Sequence, residues 1–557
     1  MLNLNTYGES CKYKKVNILM ARANPGQGFS PTVSGFAILE PRMSAPRPDA
    51  AAAAATAAAA ADTDTPADTS ASDGRQPDAT LRRDMPPEEF RRWGHALVDW
   101  LADYPARVEN LPVQSRAQPG ELRAALPAAA PELGEDFATI LADVDRLIVP
   151  GLTHWQAPGF FAYFPANTSG PSILGELLAA GLGVQGMLWA TSPACTELET
   201  HVLDWLATLS RLPPKFHSSG AGGGVLLDSA SSATLCALLA ARERATAGAG
   251  NRLGAPAHPT LVAYTSDQAH SSVRKAARIA GLGDARLRVL PTDAAFTLPA
   301  VTLQRAIEAD LAAGLQPFFC SVTIGTTSSM AVDPVAELAT LCLAHGIWLH
   351  VDAAMAGNIA LCEEFQPHFA GLAQADSYTF NPHKWLFTNF DCNCFYVADR
   401  AALTGALGIL PEYLRTQASS SGAVIDYRDW QVPLGRRFRA LKLWFVLRWY
   451  GAQQLRALLR DHVAMARWFG AQVQASDQFE LLAPVHFSLV CFRHRAGNAF
   501  NARLLAQLNA DGQIYLSHTV LNDVYVLRLA VGATRTEPRH VEAAWTTIQA
   551  TAARLQG

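Results

Sequence analysis

The residue whose surroundings point most directly to chemistry is Lys384, in the segment Asn381–Trp385 (NPHKW). It follows an apolar run typical of a strand and is flanked by a histidine and a tryptophan. A lysine shielded from water loses its proton readily and can form a Schiff base with an aldehyde. The alternative is a lysine whose aliphatic stem packs against the protein while its ammonium group reaches water.

Asp352 is a second candidate, because it ends the apolar run Ile347–Val351. In open α/β sheets, ligands bind at the carboxyl ends of such strands. A carboxylate there could pair with a protonated pyridine nitrogen and so make the ring an electron acceptor. The alternative is an aspartate that only caps a helix beginning at Ala353.

Two further segments contain residues suited to a planar, phosphorylated ligand. Gly222–Thr234 joins three glycines to small hydroxyl residues and leads into a predicted helix, Leu235–Arg244. Free N–H groups at a helix start, together with serine hydroxyls, bind phosphate, although small residues also serve as ordinary caps. It is not a Walker A loop, since no Gly-Lys-Ser/Thr follows. In Gln268–Ser272, His270 could stack on a planar cofactor or only cap a helix.

These four features complement one another. A phosphate cradle, a stacking ring, an acid for a ring nitrogen and a Schiff-base lysine are together what pyridoxal 5′-phosphate (PLP) requires of a protein. All four lie in one region of the chain, in which strand and helix patterns alternate. The sequence therefore predicts a PLP site in this region.

Short apolar runs alternate with helical patterns between about residues 220 and 400, which predicts an α/β fold with a mostly parallel sheet covered on both faces. Before this region, Phe90–Tyr104 and Gly134–Ile148 show helical spacing. After it, residues from about 442 to the end are typical of a smaller α+β unit. The predicted strands are Leu261–Thr265, Leu287–Leu290, Phe318–Thr323, Trp348–Val351, Ser377–Phe380 and Phe395–Val397, and the predicted helices include Leu303–Ala313 and Pro334–His345.

The composition excludes several other classes of protein. Of the 557 residues, 49% are hydrophobic and 17% are charged, which is too apolar for a disordered chain. The net charge of −4 gives no support for a nucleic-acid partner, and we find no apolar run long enough to span a membrane. The nine cysteines are an odd number, sparse and set in apolar segments, so we predict reduced thiols and a cytoplasmic protein. They lack a second pair at zinc-ligand spacing, so we predict no metal site.

Residues 1–84 differ from the rest of the chain. Residues 50–61 are alanine apart from Thr56, and residues 62–78 are rich in Thr, Ser, Asp and Pro. A segment of this kind has nothing to bury, so we predict a disordered tail. The alternative is a targeting peptide, but the apolar centre is too short for a signal peptide and the acid content too high for a transit peptide.

Several short motifs, in order along the chain, resemble those of group II PLP-dependent decarboxylases, specifically the aromatic-L-amino-acid decarboxylase family. The resemblance runs from about Met85 to the C-terminus. The matching motifs are His154-Trp155, Phe160–Pro165, Ser192–Glu199, Asp228–Thr234, Gln268–Ser272, Gly325–Thr327, His350–Ala354, Asn381–Lys384 and Pro433–Arg439.

The resemblance implies an aspartate-aminotransferase-like fold (PLP fold type I) with a mostly parallel central sheet. It divides the chain into the tail at 1–84, an N-terminal helical dimerisation segment at 85–168, a large PLP-binding domain at 169–441 and a small C-terminal α+β domain at 442–557. It also implies a homodimer with the active site at the subunit interface. The expected partners are a small amino-acid substrate and a second copy of the chain, with no nucleic acid and no membrane.

The resemblance assigns roles to the candidate residues. Lys384 carries PLP, Asp352 pairs with the ring nitrogen, His270 stacks on the ring and Tyr413 donates a proton during the reaction. The other implied cofactor-binding residues are Ser229, Ala230, Ser231, Thr327, Ala354 and Asn381. The implied substrate pocket comprises Trp155, Tyr163, Phe164, Pro165, Gln185, Met187, Phe390 and Gly435.

The implied reaction is decarboxylation of an aromatic L-amino acid (Trp, dopa, Tyr or Phe) to an arylalkylamine and carbon dioxide. Relatives with phenylalanine in place of Tyr413, or asparagine in place of His270, tend to be oxygen-using aldehyde synthases. The tyrosine and histidine found here therefore favour plain decarboxylation. Gly435 matches relatives that accept bulky aromatic substrates, because a smaller residue leaves volume for a large ring.

Departures from the family pattern leave alternatives open. The residues that differ from those usual in aromatic-substrate relatives are Ala166, Gln185, Met187, Ser232 and Met355. The first alternative keeps the fold and changes the chemistry, to an aldehyde synthase or a decarboxylase of a non-aromatic amino acid. The second is a non-catalytic dimeric scaffold with a relic PLP site.

Overall fold

The structure, a computed structural model, describes residues 84–254, 259–409, 411–414 and 416–557, without the side chains of Tyr413 and Ser420. The predicted tail therefore lies outside the described residues, apart from Asp84. Asp84–Gly557 forms one compact unit. The predicted boundary between residues 441 and 442 falls inside the helical segment Arg439–Gln474, ahead of a kink at Gly451, where φ is +66°. The division of this unit into an N-terminal segment and two domains stays a prediction.

The described part of the chain alternates between helices and strands. Its helices are α1 (Pro87–Val108), α2 (Glu121–Ala125), α3 (Phe137–Asp143), α4 (Val149–Gly151), α5 (Gly170–Leu182), α6 (Pro193–Leu209), α7 (Ala230–Ala245), α8 (Ala249–Leu253), α9 (Ser272–Ile279), α10 (Ala300–Ala312), α11 (Val335–Ala344), α12 (Pro382–Trp385), α13 (Arg400–Leu407), α14 (Gln417–Ser420), α15 (Arg439–Gln474), α16 (Asn498–Asp511) and α17 (Pro538–Gln556). Its strands are β1 (Gly223–Leu227), β2 (Leu261–Ser266), β3 (Leu287–Leu290), β4 (Gln316–Thr323), β5 (Trp348–Asp352), β6 (Ser377–Phe380), β7 (Asn393–Val397), β8 (Phe479–Leu481), β9 (Leu489–His494), β10 (Ser517–Leu521) and β11 (Val524–Ala530).

The large sheet confirms the predicted α/β fold. Its seven strands are ordered β1-β7-β6-β5-β4-β2-β3. The neighbours from β6 to β3 pair in parallel, whereas β7 is antiparallel to both β6 and β1. Strand β1 therefore runs in the same direction as β6, and β7 is the one reversed strand of this sheet. All six strands predicted from the sequence are present.

The strand at Gly223–Leu227 was not predicted, and the interpretation of its glycines as part of a phosphate cradle is wrong. These glycines instead allow β1 to pack closely. A Cβ atom at Gly224 would lie 2.8 Å from the ring of Tyr396, and one at Gly222 would lie 2.0 Å from the Val397 carbonyl oxygen. The helix that follows begins at Ala230, five residues before its predicted start.

The large sheet is buried on both faces, because successive side chains of a strand point to opposite sides. In β1, Val225 and Leu227 pack in a cluster with α7, whereas Leu226 packs in a second cluster with α6. Small residues of α7, among them Ala233 and Ala237, are completely buried against the sheet. Their size lets this helix lie close to the strand ends that carry the candidate site.

The C-terminal part of this compact unit has the predicted α+β composition. Its four strands form an antiparallel sheet in the order β10-β11-β9-β8. Helices α16 and α17 contribute to the same hydrophobic cluster as this sheet, through residues such as Leu504 and Ile548. None of the helices in the described residues combines the length and apolarity that a membrane crossing requires.

The N-terminal helices occur where the spacing predicted them. Helix α1 covers the predicted Phe90–Tyr104, with Pro87 in its first turn and Glu88 and Glu89 beside it, where proline and acidic residues favour a helix start. The second predicted helix begins three residues late, as α3, and continues into a π-helical turn, Val144–Ile148.

Candidate active site

The candidate site lies at one edge of the large sheet. Because β1, β2, β4, β5 and β6 share one direction, their carboxyl ends meet at the same edge. Five of the motifs found in the sequence follow these strand ends directly. They are Asp228–Ser231 after β1, Gln268–Ser272 after β2, Gly325–Thr327 after β4, Asp352–Ala354 at the end of β5, and Asn381–Lys384 after β6.

Lys384 lies in α12, a single turn of helix that follows β6. Two backbone hydrogen bonds fix this turn: the Asn381 N–H donates to the Ala354 carbonyl (2.9 Å) and the Lys384 N–H to the Asn381 carbonyl (3.0 Å). Lys384 Nζ lies 5.4 Å from the centre of the Phe164 ring. Burial lowers the pKa of this amine, and the Asp352 carboxylate opposes that effect. Lys384 is therefore a lysine that loses its proton more easily than an exposed one.

Asn167 also fixes the lysine turn, and sequence reasoning did not find it. Its amide nitrogen donates to the carbonyl oxygens of Lys384 (2.9 Å) and Gly532 (2.7 Å). Its amide oxygen accepts from the backbone N–H (2.9 Å) and hydroxyl (2.7 Å) of Thr534. Asn167 is 2% exposed, and both its amide nitrogen and its amide oxygen are hydrogen-bonded. It therefore joins the lysine turn rigidly to the C-terminal part of the chain.

Asp352 is a buried carboxylate at the end of β5, only 4% exposed. One of its oxygens accepts a hydrogen bond from the Ala354 N–H (2.9 Å). No ion pair involves it within the described part of the chain. Its charge raises the pKa of both Lys384 and His270 against the effect of burial. The carboxylate therefore faces the two other principal site residues without a fixed cationic partner.

His270 has a defined tautomer. Its Nδ1 accepts a hydrogen bond from the Ser272 N–H (3.2 Å) and lies 2.9 Å from the Ser272 hydroxyl. A neutral His270 therefore carries its hydrogen on Nε2. Burial lowers the pKa of this imidazole, with Asp352 acting in the opposite direction and Lys384 in the same one. The ring is thus predominantly neutral near pH 7.

Ser229 lies at the start of α7, in the segment predicted to bind the phosphate. Its hydroxyl accepts from the Ser232 N–H (3.3 Å) and donates to Asp228 (3.2 Å), so it is the N-cap of α7. Ala230 and Ser231 are the first two residues of this helix. The first N–H groups of a helix have no acceptor within it, which leaves this end suited to an anion.

Arg528 is a second residue that sequence reasoning missed. It is 4% exposed, and its guanidinium donates to the carbonyl oxygens of Thr327 (2.7 Å) and Ser328 (3.1 Å) and to the Ser517 hydroxyl (2.8 Å). The same group lies 5.5 Å from the centre of the Phe164 ring. Burial lowers the pKa of Arg528. It connects the loop that carries Thr327 to the aromatic segment beside the lysine.

Three of the predicted pocket residues form an aromatic wall, and a fourth adjoins it. The wall comprises Phe164, Tyr163 and Trp155, and Pro165 lies next to it in the chain. Tyr163 stacks on Trp155, with ring centres 5.9 Å apart. Pro165 is buried, and a Cβ at Gly532 would lie 2.8 Å from it. Phe390 contacts the lysine turn through His383, with ring centres 4.7 Å apart.

Three other predicted pocket residues form a separate group. The Gln185 amide oxygen accepts from the Arg436 N–H (2.6 Å), and a Cβ at Gly435 would lie 3.1 Å from the Gln185 amide nitrogen. The Met187 carbonyl accepts from the Arg428 N–H (3.1 Å). Within the described residues, no hydrogen bond or ring contact links Gln185, Met187 or Gly435 to Lys384.

Comparison with known proteins identifies the family. Residues 119–495 match the model described as the pyridoxal-dependent decarboxylase conserved domain. The chain belongs to the pyridoxal-dependent decarboxylase family. It is 47% identical over 480 residues to phenylacetaldehyde synthase of Arabidopsis thaliana, covering 85% of this chain and 97% of that protein. It is 46% identical over 486 residues to tyrosine decarboxylase 1 of Narcissus pseudonarcissus, covering 85% and 94%.

A solved structure confirms the fold type. The crystal structure of Oryza sativa TDC with PLP and tryptamine superposes with a TM-score of 0.83 at 42% sequence identity, covering 85% of this chain and 99% of that one. The protein is therefore a PLP-dependent decarboxylase, a lyase, with fold type I. The family, fold class and cofactor predicted from the sequence are confirmed.

The side chains at the sheet edge of this decarboxylase fit PLP. Asp352 is a buried anion suited to a protonated ring nitrogen, and Lys384 is an amine with a lowered pKa. Gln268 Oε1, in the same segment as His270, is buried without a hydrogen-bond donor in the described residues. The start of α7 offers hydroxyl and N–H groups to a phosphate. No group of three or more metal-ligating side chains occurs in the described part of the chain.

The individual site roles taken from the resemblance stay predictions. The side chain of Tyr413, the predicted proton donor, lies outside what the structure describes; its backbone lies in a short 3-10 turn, Glu412–Leu414. The arginines at 436 and 439 form ion pairs within the chain. Arg436 forms a buried ion pair with Glu199 (2.6 Å), and Arg439 pairs with Asp391 (2.8 Å).

Proposed function

We propose that this protein decarboxylates an aromatic L-amino acid (Trp, dopa, Tyr or Phe) to the arylalkylamine and carbon dioxide. The observation that carries the proposal is the aromatic wall beside Lys384. Phe164 lies 5.4 Å from the lysine nitrogen, and the adjacent Tyr163 stacks on Trp155. A wall of aromatic side chains favours an aromatic ligand through offset and edge-to-face contacts. The tyrosine decarboxylase among its relatives, and the tryptamine bound to Oryza sativa TDC, support this substrate class.

Each residue of the site has a separate role in this reaction. When bound, PLP supplies an electron-accepting ring that stabilises negative charge at the substrate α carbon as carbon dioxide leaves. The Asp352 carboxylate would hold a proton on the ring nitrogen, and Lys384 Nζ would anchor the cofactor. His270 would cover the ring, and the start of α7, with Asn381, would hold the phosphate. Tyr413 then donates a proton to the α carbon, which completes the amine.

The second candidate function is an aldehyde synthase, which the phenylacetaldehyde synthase at 47% identity favours. Such an enzyme consumes oxygen and water and releases the aldehyde, carbon dioxide, ammonia and hydrogen peroxide. The residues that the resemblance associates with this branch are not present here, since position 413 is tyrosine and position 270 is histidine. We therefore place this chain with the decarboxylases.

Product analysis tests the proposal. With Trp, dopa, Tyr, Phe, His and Glu supplied separately, we expect amine and carbon dioxide in equal amounts from at least one aromatic substrate, without peroxide. Tyr413→Phe should shift the main product to aldehyde and peroxide, because the α carbon then lacks its proton donor. As a control, the wild type should form amine at the same rate without oxygen. Aldehyde and peroxide as the main wild-type products would contradict the proposal, as would activity on His or Glu alone.

We also propose that the enzyme is a homodimer. Two helices expose apolar faces to solvent: α1 through Phe90, Leu97, Val98 and Leu101, and α5 through Leu174, Leu177, Leu178 and Leu182. Contiguous exposed apolar side chains of this kind are typical of protein–protein interfaces. The resemblance, which places the active site at the subunit interface, supports the same arrangement. Reduced, buried cysteines, eight of which are described without a disulfide, support the proposed cytoplasmic location.

Polar substitutions on α1 should disrupt this dimer. We expect a wild-type mass in light scattering of about twice the 59.8 kDa of the chain. A variant with both Leu97→Ser and Leu101→Ser should shift toward the monomer and lose activity in parallel, because the pocket is then incomplete. Leu343→Ser, on the exposed side of α11, is the matched control and should change neither. An active wild-type monomer would disprove the homodimer.

A further inference from the structure

Tyr163 has a backbone conformation that aromatic residues rarely adopt. Its φ of +53° is in the left-handed region, which side chains other than glycine generally avoid. Such a conformation persists only where the surrounding structure holds it in place. In this chain it turns the Tyr163 ring onto Trp155 and leaves the next residue, Phe164, beside the lysine nitrogen.

The contacts that hold Tyr163 come from the C-terminal part of the chain. Its N–H donates to the Ser517 hydroxyl (3.0 Å), and its carbonyl oxygen lies 3.5 Å from Arg528 Nη2. Its phenol oxygen lies 3.3 Å from that of Tyr515, within hydrogen-bond distance. The two rings meet edge to face, with centres 6.1 Å apart. These three residues all lie beyond residue 495, where the match to the family model ends.

Tyr515 is itself fixed against the same aromatic segment. Its N–H donates to the Gly159 carbonyl (3.0 Å), and its carbonyl oxygen accepts from the Phe161 N–H (2.9 Å). Its ring also meets that of Phe160 edge to face at 5.6 Å. Tyr515 therefore acts as a rigid support, in which the ring and hydroxyl determine where the Tyr163 ring lies.

We propose that Tyr515 is a positioning residue for substrate selection, which holds Tyr163 as the outer wall of the pocket for the aromatic side chain. This inference rests on the proposed function, since it assigns a role within the same site. It places part of the substrate selectivity in the C-terminal unit, outside the segment matched by the family model. Tyr515 acts through Tyr163 on the fit of the aromatic ring, and the decarboxylation step itself does not involve it.

Removing the Tyr515 hydroxyl tests the proposal. In Tyr515→Phe, we expect KM for the preferred aromatic amino acid to rise about three- to tenfold, the range that one neutral hydrogen bond is worth. The value of kcat should stay within about twofold of wild type. The ratio of kcat/KM between L-tryptophan and L-phenylalanine should move toward unity, because a less fixed wall distinguishes ring size less well. Tyr515→Leu, which removes the ring as well, should move this ratio further.

A double-mutant cycle tests whether Tyr515 acts on substrate binding through Tyr163. Tyr163→Phe and Tyr515→Phe each break the same hydroxyl pair, so the double variant should change KM no more than one single variant does. Tyr525→Phe is the matched control, because Tyr525 is on the neighbouring strand β11 and stacks on His518 instead of Tyr163. It should leave KM and the substrate ratio unchanged. The thermal midpoint of each variant shows whether it is folded.

The results separate this inference from the proposed function. A wild-type enzyme that decarboxylates no aromatic amino acid would disprove the proposed function. A wild-type enzyme that does so, with Tyr515→Phe and Tyr515→Leu folded and unchanged in KM and substrate ratio, would overturn only the inference. Additive effects of the two tyrosine substitutions would overturn it as well, and so would a loss of kcat at constant KM.

Discussion

Replacing Lys384 with alanine should lower kcat by roughly 10⁴-fold or more, as expected when a covalent catalyst is removed. It should also abolish the visible absorbance of protein-bound PLP. The physical reason is that the lysine amine is buried against Phe164 with a lowered pKa, so it loses its proton more readily than an exposed lysine and can form the covalent bond to the cofactor. Spectrophotometric titration with PLP, together with amine production, measures both effects.

Two further variants show whether the amine or only its charge is required. Lys384→Arg keeps the positive charge, but a guanidinium does not lose its proton in proteins, so this variant should be as inactive as Lys384→Ala. The matched control is Lys215→Ala. Lys215 Nζ also lies near a phenylalanine ring, 5.3 Å from that of Phe216, and burial also lowers its pKa. Its removal should leave absorbance and turnover near wild type. If the wild type itself bound no PLP, the scaffold alternative would be correct.

The predictable part of the site depends on local patterns. Asp352 follows an apolar run directly, and Lys384 and His270 come a few residues after one, so the sequence shows each strand together with the residue near its carboxyl end. Parallel strands bring such ends to one edge whatever the intervening helices are. The strand order did not have to be known to place these three residues together.

The residues that were missed depend on contacts between distant parts of the chain. Asn167 bonds to Thr534, and Arg528 to Thr327, and nothing local in the sequence marks either pair. Gly224 was interpreted as part of a phosphate cradle, whereas here it makes room for the Tyr396 ring across β1 and β7. That requirement appears only when the two strands are paired.

The positions of the pocket residues show a different limit. Motif matching assigned Trp155, Tyr163 and Gln185 to one pocket, and the structure of one chain shows direct contact between the first two. Gln185 contacts Arg436 and Gly435 instead. A motif specifies residue types along one chain, whereas a site shared between copies also depends on how those copies assemble.

Replacing Asp352 with asparagine should have the second largest effect, on cofactor affinity. Removing one partner of a buried charge pair costs about 3–5 kcal/mol, and 1.4 kcal/mol is a factor of ten. We therefore expect the Kd for PLP to rise between about 10²- and 10⁴-fold, with turnover lost at low PLP. Asp352 also raises the pKa of Lys384 and His270. Without this anion both pKa values fall, so the acidic limb of the pH–rate profile should move to lower pH.

Asp376→Asn is the matched control for Asp352→Asn. Asp376 directly precedes β6, so it lies at the opposite edge of the large sheet, where it accepts from the Leu349 N–H (2.8 Å) and pairs with Arg244. Its substitution should lower thermal stability without a change in the Kd for PLP or in the acidic limb. If the acidic limb of the pH–rate profile shifts in Asp352→Asn but not in Asp376→Asn, the shift is due to the charge at the carboxyl end of β5. An unchanged Kd in Asp352→Asn would show that this carboxylate does not hold the cofactor.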